Sequence, residues 1–306
     1  YQRFFNQLAK GRPRFKKASK YKSFTFPQSG YKLVSYNQNQ PRKGGKFTRV
    51  RSTIQIDGTE YKFVQHRPLG GQIKTLTVKR DAVGRLWLVF SVLEKLTIDK
   101  ASTGKSGGFD FGLKTFLTDD EGRAHSYPQF YAQSIDKTRR LHRQLSRKME
   151  GSHGYKRARR ALAKHSADVA NKRHDHHFKL AHQLCTEYDV LYFEDLNLRG
   201  MKALWGRKVS DLGFAKFLSI LEWVAFKRGK EVVKIDRWYP SSQTCHVCRH
   251  QNAQLTLRDR EWICPECQTH HVRDHNAAIN IKTVGTSTVY RSASKTKVRL
   301  RGRVEG

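Results

Sequence analysis

Long apolar runs are missing from this sequence. A membrane-spanning helix needs about 20 consecutive apolar residues, and no such stretch occurs among the 306 residues, so a soluble chain without a membrane partner is expected. Acid is scarce as well: 26 Asp and Glu stand against 60 Lys and Arg, a formal net charge of +34. That excess repels itself unless a polyanion neutralises it, which makes nucleic acid the leading partner. Cysteine is sparse too. Four of the five fall in two tight pairs and no secretory signal opens the chain, which argues for a reducing compartment and for metal thiolates over disulfides. Disorder is excluded for most of the chain, because 37% hydrophobic and 11% aromatic residues supply apolar groups that unfolded basic tails lack. No internal repeat is evident, and the length predicts two or three modules.

The fifth cysteine, Cys185, shares a helical stripe with Phe178, Ala181, Leu184 and Tyr188, the pattern of a buried core thiol. Residues 1 to about 25 are basic and interrupted by Gly11 and Pro13. Period-2 runs follow, SFTF, TRVRSTIQI, EYKFV and IKTLTVKRDAVGRLWLVFSVL, with turn signals at Asp57-Gly58 and Asp81–Gly84. They predict a small antiparallel barrel or sandwich ending near the Gly- and Ser-rich boundary at residue 101.

Beyond that boundary GFDFGLKTFLT predicts a strand, with a turn at Asp119–Gly122. Residues 134–187 are helical in pattern, broken at Gly151–Gly154, which predicts a hairpin of two helices. Its basic faces carry Arg139, Arg140, Arg143, Arg147, Arg157, Arg160, Lys172 and Arg173, candidates for phosphate contact. DVLYFEDL suits a buried parallel strand whose C-terminal end faces a site. Helical spacing from Phe214 to Ala225 and a strand at EVVKIDRWY complete an α/β pattern. After about residue 285 the composition turns to Ser, Thr, Lys and Arg, and a flexible basic tail is expected.

Zinc takes four soft ligands in a tetrahedron, and each CxxC turn presents two thiolates to one ion. CHVC and CPEC supply Cys245, Cys248, Cys264 and Cys267, separated by fifteen residues whose alternation suits the hairpin of a zinc ribbon. A closed four-cysteine set leaves no open position, so this zinc is expected to be structural. Arg249 and Gln268 stand after the second cysteine of each pair, where glycine would relax the turn, and they are expected to cost strain without removing a ligand.

The chemistry must then lie with carboxylates. Cleaving a phosphodiester with two Mg²⁺ ions requires several acids converging from different elements. Asp110 lies mid-strand in apolar GFDFG, where an unpaired carboxylate is costly, Glu194 ends LYFED, and Asp274 precedes an Ala-rich helical start. Alone, Asp274 fits an N-cap equally well and Glu194 a strand-end ion pair. Asp195 should point away from Glu194 across the extended strand.

Taken in order, GFDFGLKTFLTD, YFEDLNLRGM, RWYPSSQTCHVC with CPEC, and RDHNAAINI resemble the TnpB proteins of insertion sequences. The resemblance is strong over roughly residues 101–285 and looser over 1–100. It implies an RNA-guided DNA endonuclease of transposon origin, related to the type V CRISPR effectors, in the cytoplasm of a prokaryotic cell. It implies an α/β RNase H-like (RuvC) nuclease domain, a β-rich barrel-like N-terminal domain and an inserted zinc ribbon. Asp110, Glu194 and Asp274 are the implied catalytic acids, served by Mg²⁺ or Mn²⁺, and the implied partners are a guide RNA from the flanking element and target double-stranded DNA.

On this resemblance residues 1–22 end a recognition lobe, 23–100 form the wedge domain that grips guide RNA, and 101–240 and 272–286 build the nuclease. The ribbon takes 241–271 and the tail 287–306. Tyr1 opens inside an amphipathic pattern with Phe4, Phe5 and Leu8, so upstream sequence is expected. Val272 departs from the family, whose members often carry an acid there. Two alternatives stay open: a guided DNA-binding protein that does not cut, which would usually have lost an acid, and a transposase that joins DNA ends directly.

Overall fold

A computed structural model describes residues 21–35, 50–66, 69–94, 102–256 and 258–300, the last thirteen and Val50 by backbone alone. The basic segment 1–20 and the boundary at residue 101 lie outside them. The chain divides into two compact units, Tyr1–Leu96 with Gln144–Lys164, and Thr97–Arg143 with His165–Gly306.

In the first unit β1 (Ser23–Phe26), β5 (Gln72–Arg80) and β6 (Leu86–Leu93) form one antiparallel sheet, in the order β1-β5-β6. A second joins β2 (Tyr31–Ser35), β3 (Val50–Ile56) and β4 (Thr59–Gln65). Asp57 and Gly58, at φ 47° and 78°, close a two-residue hairpin in which Ile56 faces Thr59, the turn that matches strand twist. At the β5–β6 turn the Asp81 carboxylate accepts from the Val83 and Arg85 amides and from the Trp87 indole.

The strands group by threes, because the chain changes sheet after Phe26 and again after Gln65. Among the described residues no strand pairing closes the two sheets into the expected barrel. The unit also takes in Gln144–Lys164, which the sequence pattern had assigned to the nuclease region. One tie is the Arg160 Nε bond to the Val83 carbonyl, at 3.1 Å.

The second unit is built on a five-stranded sheet of β7 (Ser106–Phe111), β8 (Leu117–Asp119), β9 (Ala124–His125), β10 (Val190–Glu194) and β11 (Glu231–Ile235). Its order is β11-β10-β7-β8-β9: β7, β10 and β11 run parallel, while β8 and β9 turn back antiparallel. Among the described residues the helices are, in chain order, α1 (Phe130–Gln133), α2 (Ile135–Ser146), α3 (His153–Glu187), α4 (Leu198–Leu212), α5 (Phe214–Lys227) and α6 (Arg273–Leu300), of which the end of α2 and the first part of α3 belong to the first unit.

Strand alternation sorts the two faces. Phe109, Phe111, Leu191 and Phe193 enter the main core with Leu184, Cys185, Phe214, Phe217 and Leu221. Each buried aromatic or aliphatic side chain contributes about 1.5–3 kcal/mol. Burial pushes the Cys185 thiol up to about 11, so it is the inert core thiol expected. On the opposite face Tyr192 and Ile235 pack with Ile281 of α6. Gly108 shares that face, and a Cβ there would stand 2.2 Å from the Ala278 carbonyl oxygen. Glycine is what lets α6 lie on β7.

Two readings of the sequence change, and one helix is added. α4 has no counterpart in the apolar pattern; it begins at the Asn197 cap and tolerates non-helical geometry at Trp205. The ribbon hairpin does not fill the fifteen residues between the cysteine pairs. Its strands β12 (Glu261–Ile263) and β13 (His270–Val272) flank the second pair instead. Asp259 turns the preceding segment by accepting from the Thr256 amide and hydroxyl. Finally, α6 runs to Leu300 where a flexible tail from residue 287 was expected. Thr283, Thr286 and Ser287 return their hydroxyls to carbonyls four residues back, so polar composition here accompanies helix.

Candidate metal centres

The acids reach one sheet edge through register. Phe193 of β10 faces Phe109 of β7, so the next residues along these parallel strands, Glu194 and Asp110, are neighbours at their C-terminal ends. Both lie on the α6 face. Asp274 occupies the first turn of α6, the helix packed on that face. The Asp110 carboxyl is held well above the usual carboxylate range, by burial first and then by the negative charges of Asp274 and Glu194, with Arg273 opposing. Burial also raises Glu194, against a hydrogen bond from the Ser241 hydroxyl at 3.3 Å. Asp274 Oδ1 lies 3.6 Å from a guanidinium nitrogen of Arg260. Asp195 turns elsewhere, to Arg237.

Among the described residues, only the four cysteines form a group of three or more His, Cys, Asp or Glu with all ligand atoms within 4.8 Å of one another. The three carboxylates influence one another without closing to that distance. Oxygen-only donors of this kind suit a hard cation such as Mg²⁺ or Mn²⁺.

Cys245 and Cys267 bring their sulfurs to 3.6 Å, Cys248 and Cys264 to 3.5 Å. A tetrahedral zinc with Zn–S of about 2.3 Å needs sulfurs about 3.8 Å apart, so the cluster fits one. The two turns are built alike: the Arg249 amide donates to the Cys245 carbonyl and that of Gln268 to Cys264. Arg249 and Gln268 adopt φ of 69° and 58°, the left-handed geometry anticipated, at about 1–2 kcal/mol each. The Thr269 hydroxyl lowers the Cys267 thiol to about 6, while Cys248, against a backbone hydrogen bond at His250, is raised by desolvation and the other three thiols. Buried His271 places Nε2 3.1 Å from Cys245 Sγ and packs on Trp262.

Sequence reasoning missed the residues that join these centres. Asn276 and Asn280, both buried on α6, grip the loop before the first cysteine pair. Arg273 donates to the Thr256 and Asp259 carbonyls. The only signal in the sequence was the spacing of two asparagines one helical turn apart.

The family described as "Cas12f1-like, TNB domain" matches residues 214–281, and "Probable transposase" matches residues 90–204. A "Putative RNA-guided DNA endonuclease" of Streptomyces pristinaespiralis is 31% identical over 89% of this chain and 67% of its own length. The "TnpB-like protein L79" of Acanthamoeba polyphaga mimivirus is 28% identical over 75% of this chain and 47% of its own. The chain belongs to the TnpB family.

This TnpB chain spans two thirds of the Streptomyces relative and about half of the mimivirus one. A solved Cas12f1 chain, from a complex with sgRNA and target DNA, superposes with a TM-score of 0.53 at 16% identity, covering 92% of the TnpB chain and 67% of its own. That likeness shows the shared mixed α/β, RuvC-like fold. No helix among the described residues of this TnpB protein is long and apolar enough to cross a membrane.

The candidate phosphate contacts separate by environment. Arg139, Arg140, Arg143, Arg147, Arg157, Arg160 and Lys172 are exposed. Arg173 is turned inward, 3.4 Å from the buried Asp211 carboxylate, which also caps α1 through the Tyr131 and Ala132 amides.

Proposed function

We propose that this chain is the nuclease-bearing part of an RNA-guided DNA endonuclease, in which Asp110, Glu194 and Asp274 hold catalytic Mg²⁺ or Mn²⁺ and Cys245, Cys248, Cys264 and Cys267 hold a structural zinc. The observation that supports this reading is the placement of Asp110 and Glu194 side by side at the sheet edge against which the first turn of α6 sets Asp274, with burial first and then the charges of Asp274 and Glu194 raising the Asp110 carboxyl. Burying such a group beside like charges is unfavourable. A divalent cation offsets both costs.

Bound cations would supply the Lewis acidity that phosphodiester hydrolysis needs. The chain's own residues do the rest. The Ser241 hydroxyl orients Glu194. Arg260, beside Asp274, offers positive charge to a phosphate entering the edge. Guide pairing reads sequence while the protein holds backbone and shape, consistent with the charge of +34. The target-DNA and guide-RNA partners belong to the same proposal, supported by what the relatives are named for, and the wedge role of the first unit is part of it.

The test is cleavage of target DNA by the protein with its flanking RNA, in Mg²⁺ or EDTA. Cleavage in Mg²⁺, its loss in EDTA and its fall to background in Asp110→Ala are expected; equal cleavage by Asp110→Ala would overturn the site assignment. Elemental analysis should find about one zinc per chain, the number of ions four thiolates can enclose, and a lower content in Cys264→Ser. A full zinc complement in that variant would contradict the ligand set.

A further inference from the structure

The loop from Ser241 to Arg249 leads into the zinc site and is bonded along one side to a single helix, α6. Asn276 and Asn280 of α6 are 1% and 0% exposed, and their amide nitrogens converge on the same two acceptors. Asn280 donates to the Ser241 carbonyl at 2.9 Å and the Thr244 carbonyl at 2.6 Å, and Asn276 donates to Thr244 at 2.8 Å. Their oxygens accept from the loop in return: Asn276 from the His246 amide at 3.0 Å, Asn280 from the Arg249 guanidinium at 3.1 Å. Cys245 and Cys248 lie inside this bracket.

The same loop touches the acids. The Ser241 hydroxyl, on the same residue whose carbonyl Asn280 holds, donates to Glu194. Two residues before Asn276, on the same helix, stands Asp274. On the other side Arg273 bonds its own amide to the Arg260 carbonyl and its guanidinium to Thr256 and Asp259. Asp274 is therefore flanked by one residue that grips the segment leading into the ribbon hairpin and two that grip the first cysteine turn.

We propose that Ser241, Asn276 and Asn280 are positioning residues that couple the cysteine cluster to the nuclease edge, so that an intact zinc site sets the separation of Glu194 and Asp274. This rests on the assignment of Asp110, Glu194 and Asp274 as the metal-holding acids. Buried amides with all their partners satisfied fix one geometry, because any shift breaks several bonds at once. Outer partners of this kind change metal affinity or activity about 10–100-fold when removed.

The experiment uses the protein–guide RNA complex and two clamp variants, Ser241→Ala and Asn280→Ala, with Ser241→Thr as the conservative replacement. Three quantities are read: zinc per chain, Mn²⁺ affinity by electron paramagnetic resonance without DNA, and the Mg²⁺ concentration for half-maximal target cleavage. Ser241→Ala should keep its zinc and melting temperature, yet need about 10-fold more Mn²⁺ and Mg²⁺, and Ser241→Thr should restore the parent values. Asn280→Ala should weaken Mn²⁺ binding and also loosen zinc; if it fails to fold, Ser241→Ala decides alone. Parent-like Mn²⁺ affinity in Ser241→Ala, or zinc loss in Asn280→Ala without any change in Mn²⁺ binding, would overturn the coupling. Asp110→Ala, measured alongside, separates the two ideas. If it cuts like the parent, the site assignment has failed; if it is inert while both clamp variants match the parent, only the clamp has.

Discussion

His177 sits fully buried on α3, its ring stacked on Phe116 at 5.6 Å and edge-on to Phe217 at 5.5 Å, with Nε2 3.1 Å from the Leu212 carbonyl. Burial first, then neighbouring His176, lowers it to about 4 from 6.5. The folded value lies below the unfolded one, so the neutral ring contributes stability above pH 6.5 that is lost as pH falls towards 4. At 1.36 kcal/mol per unit the loss is about 3 kcal/mol. Urea unfolding at stepped pH should show that decline in the parent and a shallower one in His177→Phe, despite the hydrogen bond the variant gives up. Identical pH profiles would refute the assignment. Arg173 makes the same point about single residues. Its sequence context matched its exposed basic neighbours, yet its partner is Asp211, 38 positions away, and no local pattern reports such a pair.

Among the elements, the contact of α6 with β7 and β10 carries the most consequence, because it brings Asp274 to the other two acids. Gly108→Ala would drive a methyl into the Ala278 carbonyl and the Lys282 backbone. Overpacking of this kind costs about 1–3 kcal/mol. A lower melting temperature with weakened Mn²⁺ binding is expected, and an unchanged melting temperature would show that the helix can yield. Strands such as GFDFG and LYFED were legible in the sequence because each is a short apolar run that carries an acid, mid-strand at Asp110 and at the end at Glu194, as suits a buried strand beside a site. The Asp57-Gly58 turn was legible because two consecutive positive φ values demand those residues. The two cysteine pairs fixed their own geometry. Less legible was everything carried by polar side chains at long range: the asparagines of α6, the start of α4, and a ribbon hairpin displaced to the second cysteine pair. The helical continuation to Leu300 was hidden by composition, since Ser and Thr signal loop in isolation while their hydroxyls can be absorbed by the helix's own carbonyls.

For the whole molecule, charge is the property that the fold leaves unbalanced. Lys and Arg exceed Asp and Glu by 34, while among the described residues many of the acids are engaged in ion pairs or turns within the fold. Binding of guide RNA should therefore weaken steeply with salt as released counterions are restored. Replacing exposed Arg140, Arg147 or Arg157 by Ala should each flatten the slope of log affinity against log salt by about 0.7–0.9 without lowering stability. Arg173→Ala should do the reverse, lowering the melting temperature and leaving the slope unchanged, as measured by filter binding beside thermal unfolding. A flattened slope in Arg173→Ala would place that residue on the RNA instead of on Asp211.

The most direct test of the central claim is guide-directed cleavage. With the targeting segment of its RNA replaced, the parent should cut the newly matched DNA and spare the old target, while Asp110→Ala, Glu194→Ala and Asp274→Ala bind the new target as tightly as the parent and leave it whole. Cutting that ignores the guide, or that survives any one of the three replacements, would contradict the account.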